Sequence, residues 1–132
     1  MTAVLYLDAS ALVKLGKKEA ETEALRRSLR GSAFVFTSAI SMVEVARAFR
    51  RAVPDEADDL TETVLARVDV HALTDAVIAA AARLDPPSLR TLDALHLSTA
   101  LELRNAITGF VTYDARLAEA ATVAGLPVAA PR

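Results

Sequence analysis

The chain has 132 residues, 53% of them apolar, a net charge of −2 and no cysteine, which rules out a disulfide framework, a thiolate metal site and a cysteine nucleophile. That length suits one domain, spanning residues 1–132, whose core needs no covalent staple. The near-balanced charge excludes a surface that binds nucleic acid all over, so any such contact needs a local patch or a metal.

Aromatic residues make up only 5% and there is no tryptophan, so there is little material for stacking bases. No apolar run approaches the roughly 20 residues that cross a bilayer. Met1–Asp8 lacks the basic start and long apolar stretch of a signal peptide. A cytoplasmic chain with no membrane attachment is expected.

Short apolar runs alternate with helical patterns. Val4–Leu7 reads as a strand buried on both faces, with Asp8 or Ser10 able to cap the helix that follows. Glu19–Arg30 predicts a helix ended by Gly31, and Phe34–Phe36 a second strand. Thr37 or Ser38 then caps a helix carrying Ile40, Val43, Ala46 and Phe49, which Pro54 stops. Asp55–Arg67 predicts a helix whose acidic first turn suits the dipole. Val68–His71 reads as an exposed edge strand, and Thr74 opens an alanine-rich helix closed by Pro86 and Pro87. Thr91–Arg104 is a further helix and Gly109–Thr112 a strand. Asp114 caps the next helix, and Gly125–Pro127 leads to a last strand at Val128 and Ala129.

Strands alternating with helices predict a mostly parallel sheet of four to five short strands covered on both sides. Ligands of such sheets bind beyond the carboxyl ends of the strands. Asp8 follows the first strand, Asp114 ends the fourth, and Glu44 lies about two turns into the helix that leaves the second. These three acids should face one sheet edge. Asp93 sits in the first turn of its own helix. Each has a plain structural reading as well: Asp8 and Asp114 as caps, Asp93 as a charge favoured by the dipole, Glu44 as a partner for Arg47 or Lys14. Together, three or four carboxylates about one point describe a site for a hard cation, Mg²⁺ or Mn²⁺, and such sites promote displacement at phosphorus.

The chain resembles PIN-domain ribonucleases, of the toxin type found in VapBC toxin–antitoxin pairs. The resemblance rests on Leu7-Asp8-Ala9-Ser10 running to Lys14-Leu15, Thr37-Ser38 with Val43-Glu44, Leu92-Asp93-Ala94-Leu95-His96, and Phe110 through Thr112 and Asp114 to Leu117, in the family's order. It implies a three-layer α/β/α fold. It also implies a metal-binding and catalytic quartet of Asp8, Glu44, Asp93 and Asp114, supported by Ser10 and Thr112. The activity implied is Mg²⁺- or Mn²⁺-dependent cleavage of RNA by an endoribonuclease that dimerises and is blocked by a cognate VapB-type antitoxin. Two positions depart from the pattern. Gly16-Lys17-Lys18 stands where many relatives carry an aromatic residue, and Arg116 stands where some carry another acid, so a second ion is expected to bind weakly or only with substrate.

Lys14, Arg47 and Arg50 are candidate phosphate contacts, although the two arginines also fit a solvated helix face. His96 is expected in a supporting or packing role rather than as a ligand, and Asp55, Glu56, Asp58 and Asp59 in a solvated first turn. Two other functions compete. One is a non-catalytic binding module of the same fold. The other is an aspartate-based phosphatase with Asp8 as nucleophile, which Ser10 disfavours because such enzymes carry a second Asp there.

Overall fold

The computed structural model describes residues 2–132; Met1, the first residue of the expected 1–132 domain, lies outside them. Five strands, β1 (Ala3–Leu7), β2 (Ser32–Ser38), β3 (Asp69–His71), β4 (Gly109–Val111) and β5 (Val128–Ala129), form one sheet in the order β3-β2-β1-β4-β5. Every pairing is parallel. Seven helices connect them: α1 (Ala9–Gly16), α2 (Thr22–Arg30), α3 (Ile40–Ala52), α4 (Ala57–Leu65), α5 (Asp75–Ala81), α6 (Thr91–Glu102) and α7 (Ala115–Val123). The architecture is a three-layer α/β/α sandwich. Among the described residues, no helix is long and apolar enough to cross a membrane.

Two apolar clusters fill the spaces on either side of the sheet. Side chains alternate across a strand, so Leu5 and Leu7 point into one cluster and Tyr6 into the other. Leu5, Leu7 and Val111 pack with Leu12 of α1, Leu25 of α2, Phe49 of α3 and Val64 of α4. Tyr6 and Phe110 pack with Leu97 of α6 and Leu117 of α7, their rings stacked 5.3 Å apart. Each fully buried aliphatic side chain contributes about 1.5–3 kcal/mol.

Gly16 lies against this core. A Cβ there would run into the Phe49 ring, whose Cε1 and Cε2 atoms would stand 3.0 and 3.2 Å away. The departure at Gly16 thus has a packing reason, because the ring fills the space a side chain would need. Gly16→Ala is expected to destabilise the fold by about 1–3 kcal/mol, the usual cost of overpacking a filled core. An unchanged urea midpoint would mean that Phe49 has room to move.

Several ends differ from expectation. Helix α2 starts at Thr22 rather than Glu19, and β2 is longer than Phe34–Phe36. The chain leaves α5 after Ala81, well before Pro86 and Pro87. Neither Thr37 nor Ser38 is the N-cap of α3, which is Ala39. Thr37 instead donates to the Leu7 carbonyl at 2.7 Å and shares its hydroxyl with Ser41, stitching β2 to β1. The strand order reverses at β1, which has β2 on one side and β4 on the other. In parallel sheets the crevice for a ligand opens at that reversal. The Asp8 amide donates to the Val111 carbonyl at 3.2 Å and closes the seam beneath it.

Candidate active site

At the carboxyl edge of β1 and β4 lies a cavity of about 360 Å³ whose walls include Asp8, Glu44, Asp93 and Asp114, together with Ser10, Arg90 and His96. Four separate segments of chain deliver these acids, and the fold brings all four to one place. Lys14, Arg47 and Arg50 do not line it.

Asp8 is nearly inaccessible, at 4% exposure. As N-cap of α1 it accepts the Ala11 amide at 3.0 Å on Oδ1. Ser10 donates to the same oxygen at 2.7 Å, and Thr112 donates to Oδ2 at 2.6 Å. Both hydroxyls act further along the chain. Ser10 accepts the Tyr113 amide and Thr112 the Asp114 amide, each at 3.1 Å, so the rotamer of Asp8 is tied to the turn that carries Asp114. Burial raises the pKa of Asp8, and the donors from Ser10 and Thr112 offset it only in part.

Glu44 is oriented through a buried relay. Its Oε1 lies 2.7 Å from His96 Nε2, and His96 Nδ1 lies 2.8 Å from the Tyr6 hydroxyl. Burial pushes the Tyr6 phenol well above its ordinary range, so it keeps its proton. With the Tyr6 proton directed at Nδ1, His96 would carry its own proton on Nε2 and donate it to Glu44. Tyr6→Phe would strand Nδ1 in the core. It is expected to cost about 1–3 kcal/mol of stability and to lower turnover about tenfold by loosening Glu44. Urea unfolding and kcat measure the two effects, and an unaltered kcat would separate Glu44 from the relay.

Asp93, in the first turn of α6, is the least satisfied of the four. Among the described residues its Oδ2 is the buried side-chain oxygen without a hydrogen-bond donor. Burial raises its pKa, the charge of Asp114 raises it further, and Arg90 opposes both. Asp114 caps α7 through Oδ1, accepting the Arg116 and Leu117 amides at 2.9 and 3.1 Å. Its Oδ2 meets Arg90 Nη2 at 3.2 Å, while Arg90 Nε stands 3.4 Å from Asp93 Oδ2. Among the described residues, no three His, Asp or Glu side chains are gathered tightly enough to hold an ion as they stand. The donor set nevertheless fits a hard divalent cation: it consists of carboxylate oxygens, one of them orphaned, with two of the acids raised in pKa by burial.

The candidate basic residues lie elsewhere. Lys14 is held by Glu19 at 2.6 Å and Glu21 at 3.1 Å, and stands over the Tyr113 ring. Arg47 and Arg50 are exposed on α3 and, with Arg51, line a small recess of about 300 Å³. Arg90 and Tyr6 escaped the sequence reading. The spacing of Arg90 one turn before Asp93 was the available signal for the first. Tyr6, inside an apolar run, gave none.

A model of the PIN domain matches residues 5–123 of the chain. Ribonuclease VapC35 of Mycobacterium tuberculosis is 42% identical over 132 residues, covering 97% of each chain. Among solved structures, Mycobacterium tuberculosis VapC20, described as a sarcin–ricin loop cleaving toxin, superposes with a TM-score of 0.73 at 20% identity, covering 96% of this chain and 99% of that one. A toxin–antitoxin complex from Klebsiella pneumoniae gives a TM-score of 0.72 at 19% identity, covering 99% and 98%. At those identities the two structures bear on the fold alone.

Proposed function

The chain belongs to the PIN-domain family, in its VapC ribonuclease group, and from that premise we propose that it is a cation-dependent endoribonuclease that hydrolyses phosphodiester bonds of RNA. The observation that carries this reading is the meeting of Asp8, Glu44, Asp93 and Asp114 in one cavity at the strand-order reversal. Mg²⁺ or Mn²⁺ held by these four carboxylates would supply the Lewis acidity that activates water and offsets charge on the phosphate.

The chain's own groups do the rest. Ser10 and Thr112 hold Asp8 in one rotamer, and His96 does the same for Glu44. Arg47, Arg50 and Arg51 lie on the helix that bears Glu44, and among the described residues none is paired with an acid. They are suited to the RNA backbone, where contacts position a strand without reading its bases. Lys14 is a weaker candidate for such a contact, since Glu19 and Glu21 already engage it.

The same reading makes the protein a cytoplasmic toxin that pairs with a second copy of itself and is blocked by a VapB-type antitoxin. The 42% identical relative is itself named a ribonuclease, which supports the activity. A phosphatase reading fits less well, because both oxygens of Asp8 are engaged by donors and the side chain is almost fully buried. A binding module leaves the orphaned oxygen of Asp93 without a purpose. The test is incubation of the purified chain with single-stranded RNA. Cleavage should require Mg²⁺ or Mn²⁺, stop in EDTA and return when Mn²⁺ is restored. Cleavage that survives EDTA would reject the proposal.

A further inference from the structure

Arg90 bridges two of the acids on which the proposed cation site depends. Its Nη2 meets Asp114 Oδ2 at 3.2 Å and its Nε approaches Asp93 Oδ2 at 3.4 Å. The guanidinium thus stands between Asp93, whose Oδ2 lacks a hydrogen-bond donor, and the Asp114 oxygen that does not cap α7. It also belongs to the wall of a second, larger cavity of about 590 Å³ beside the first, which it shares with Asp93, Leu89 and Arg116. Arg90 and Asp93 are common to both cavities and form the sill between them.

Little besides charge keeps Arg90 there. Its side chain is 67% exposed, and it heads α6 without a side-chain cap. A divalent cation and a guanidinium cannot share the same two oxygens, because each would sit within a few ångströms of the other's positive charge. On the reading that the acids hold a cation, Arg90 must therefore leave them when the ion arrives. Its reach then covers the sill, the stretch of rim that the acidic cavity shares with the larger one. A planar guanidinium is the side chain best matched to two phosphate oxygens.

We infer that Arg90 is an exchangeable counter-cation, which neutralises Asp93 and Asp114 in the cation-free site and turns to a backbone phosphate of the bound RNA once the divalent ion takes its place. Arg90 is thus a competitor of the metal in the free protein and a substrate contact in the loaded one. These two roles give one substitution effects of opposite sign.

The experiment compares the wild-type protein with Arg90→Gln and Arg90→Lys. Mn²⁺ affinity is measured by calorimetry, and KM and kcat with a single-stranded RNA oligonucleotide at saturating Mn²⁺. Arg90→Gln should bind Mn²⁺ about three- to fivefold more tightly, the scale of one exposed ion pair lost as competitor. The same variant should raise KM about tenfold through the lost charge-assisted contact. Arg90→Lys keeps the competing charge without the fork, so its Mn²⁺ affinity should match wild type while its KM rises. A purely structural role would not tighten Mn²⁺ binding. Unchanged or weaker Mn²⁺ binding by folded Arg90→Gln, or an unchanged KM, would overturn the inference and leave the cation site standing. Wild-type protein that binds no Mn²⁺ would overturn both.

Discussion

Asp8→Asn is expected to cleave RNA at least about a hundredfold more slowly than the parent protein, because it loses one charged oxygen of the proposed cation site, where even supporting residues cost ten- to hundredfold. The variant is expected to fold. Asn keeps Oδ1 for the Ala11 amide and the Ser10 hydroxyl, which is all the cap of α1 requires. Its amide group then takes the place of the oxygen to which Thr112 donates, so Thr112 must turn its proton elsewhere. Against that small loss stands the removal of a carboxylate whose ionisation burial opposes. Without divalent ions, the urea midpoint of Asp8→Asn should therefore equal or exceed that of wild type. The pairing of lost turnover with retained stability is the informative result, read from kcat/KM with Mg²⁺ and from unfolding in EDTA. Activity within a few-fold of wild type would remove Asp8 from the chemistry.

How much of this was legible in the sequence depends on the range of the interaction that decides each feature. The continuous apolar run at Leu5–Leu7 and the Phe110–Val111 pair mark strands buried on both faces, and the alternation with helices leads to the parallel sheet. From there the carboxyl-edge rule places Asp8, Glu44 and Asp114 near one another without reference to side-chain contacts. Local signals failed where a distant partner won. Thr37 has the chemistry of an N-cap, yet its hydroxyl is taken by the Leu7 carbonyl of the neighbouring strand. His96 was expected to support or pack, but that it connects Tyr6 to Glu44 depends on contacts spanning 90 and 52 residues. Arg90 hides for the same reason, since its contact with Asp114 crosses 24 residues and its neighbour Asp93 alone suggests an ordinary helix pair.

Mn²⁺ should stabilise the fold strongly at neutral pH and hardly at all in acid. An ion that binds only the native state adds RT ln(1 + [L]/Kd), about 2.7 kcal/mol at a hundredfold excess over Kd. For a chain of this size that corresponds to roughly 10 °C in Tm. The direction of the pH dependence follows from Asp8 and Asp93. Both have pKa values raised above their unfolded values, chiefly by burial. Between the unfolded and folded pKa the native state binds more protons than the unfolded one, so this contribution to stability falls as pH rises. It is fully present below the unfolded value of about 4 and is lost through the raised folded values. Surface acids such as Glu21 and Glu23, held down by Lys14 and Arg26, pull the other way. The two acids are therefore isolated by difference, comparing wild type with Asp93→Asn. In EDTA, Asp93→Asn should be the more stable protein at neutral pH, and the gap should close in acid. Mn²⁺ reverses the order at neutral pH, because the ion requires the ionised carboxylates that burial penalises. Thermal melts across the carboxylate range, with EDTA and with Mn²⁺, give all four curves. A Mn²⁺ shift that ignored both pH and the Asp93 substitution would place the ion somewhere other than among these acids.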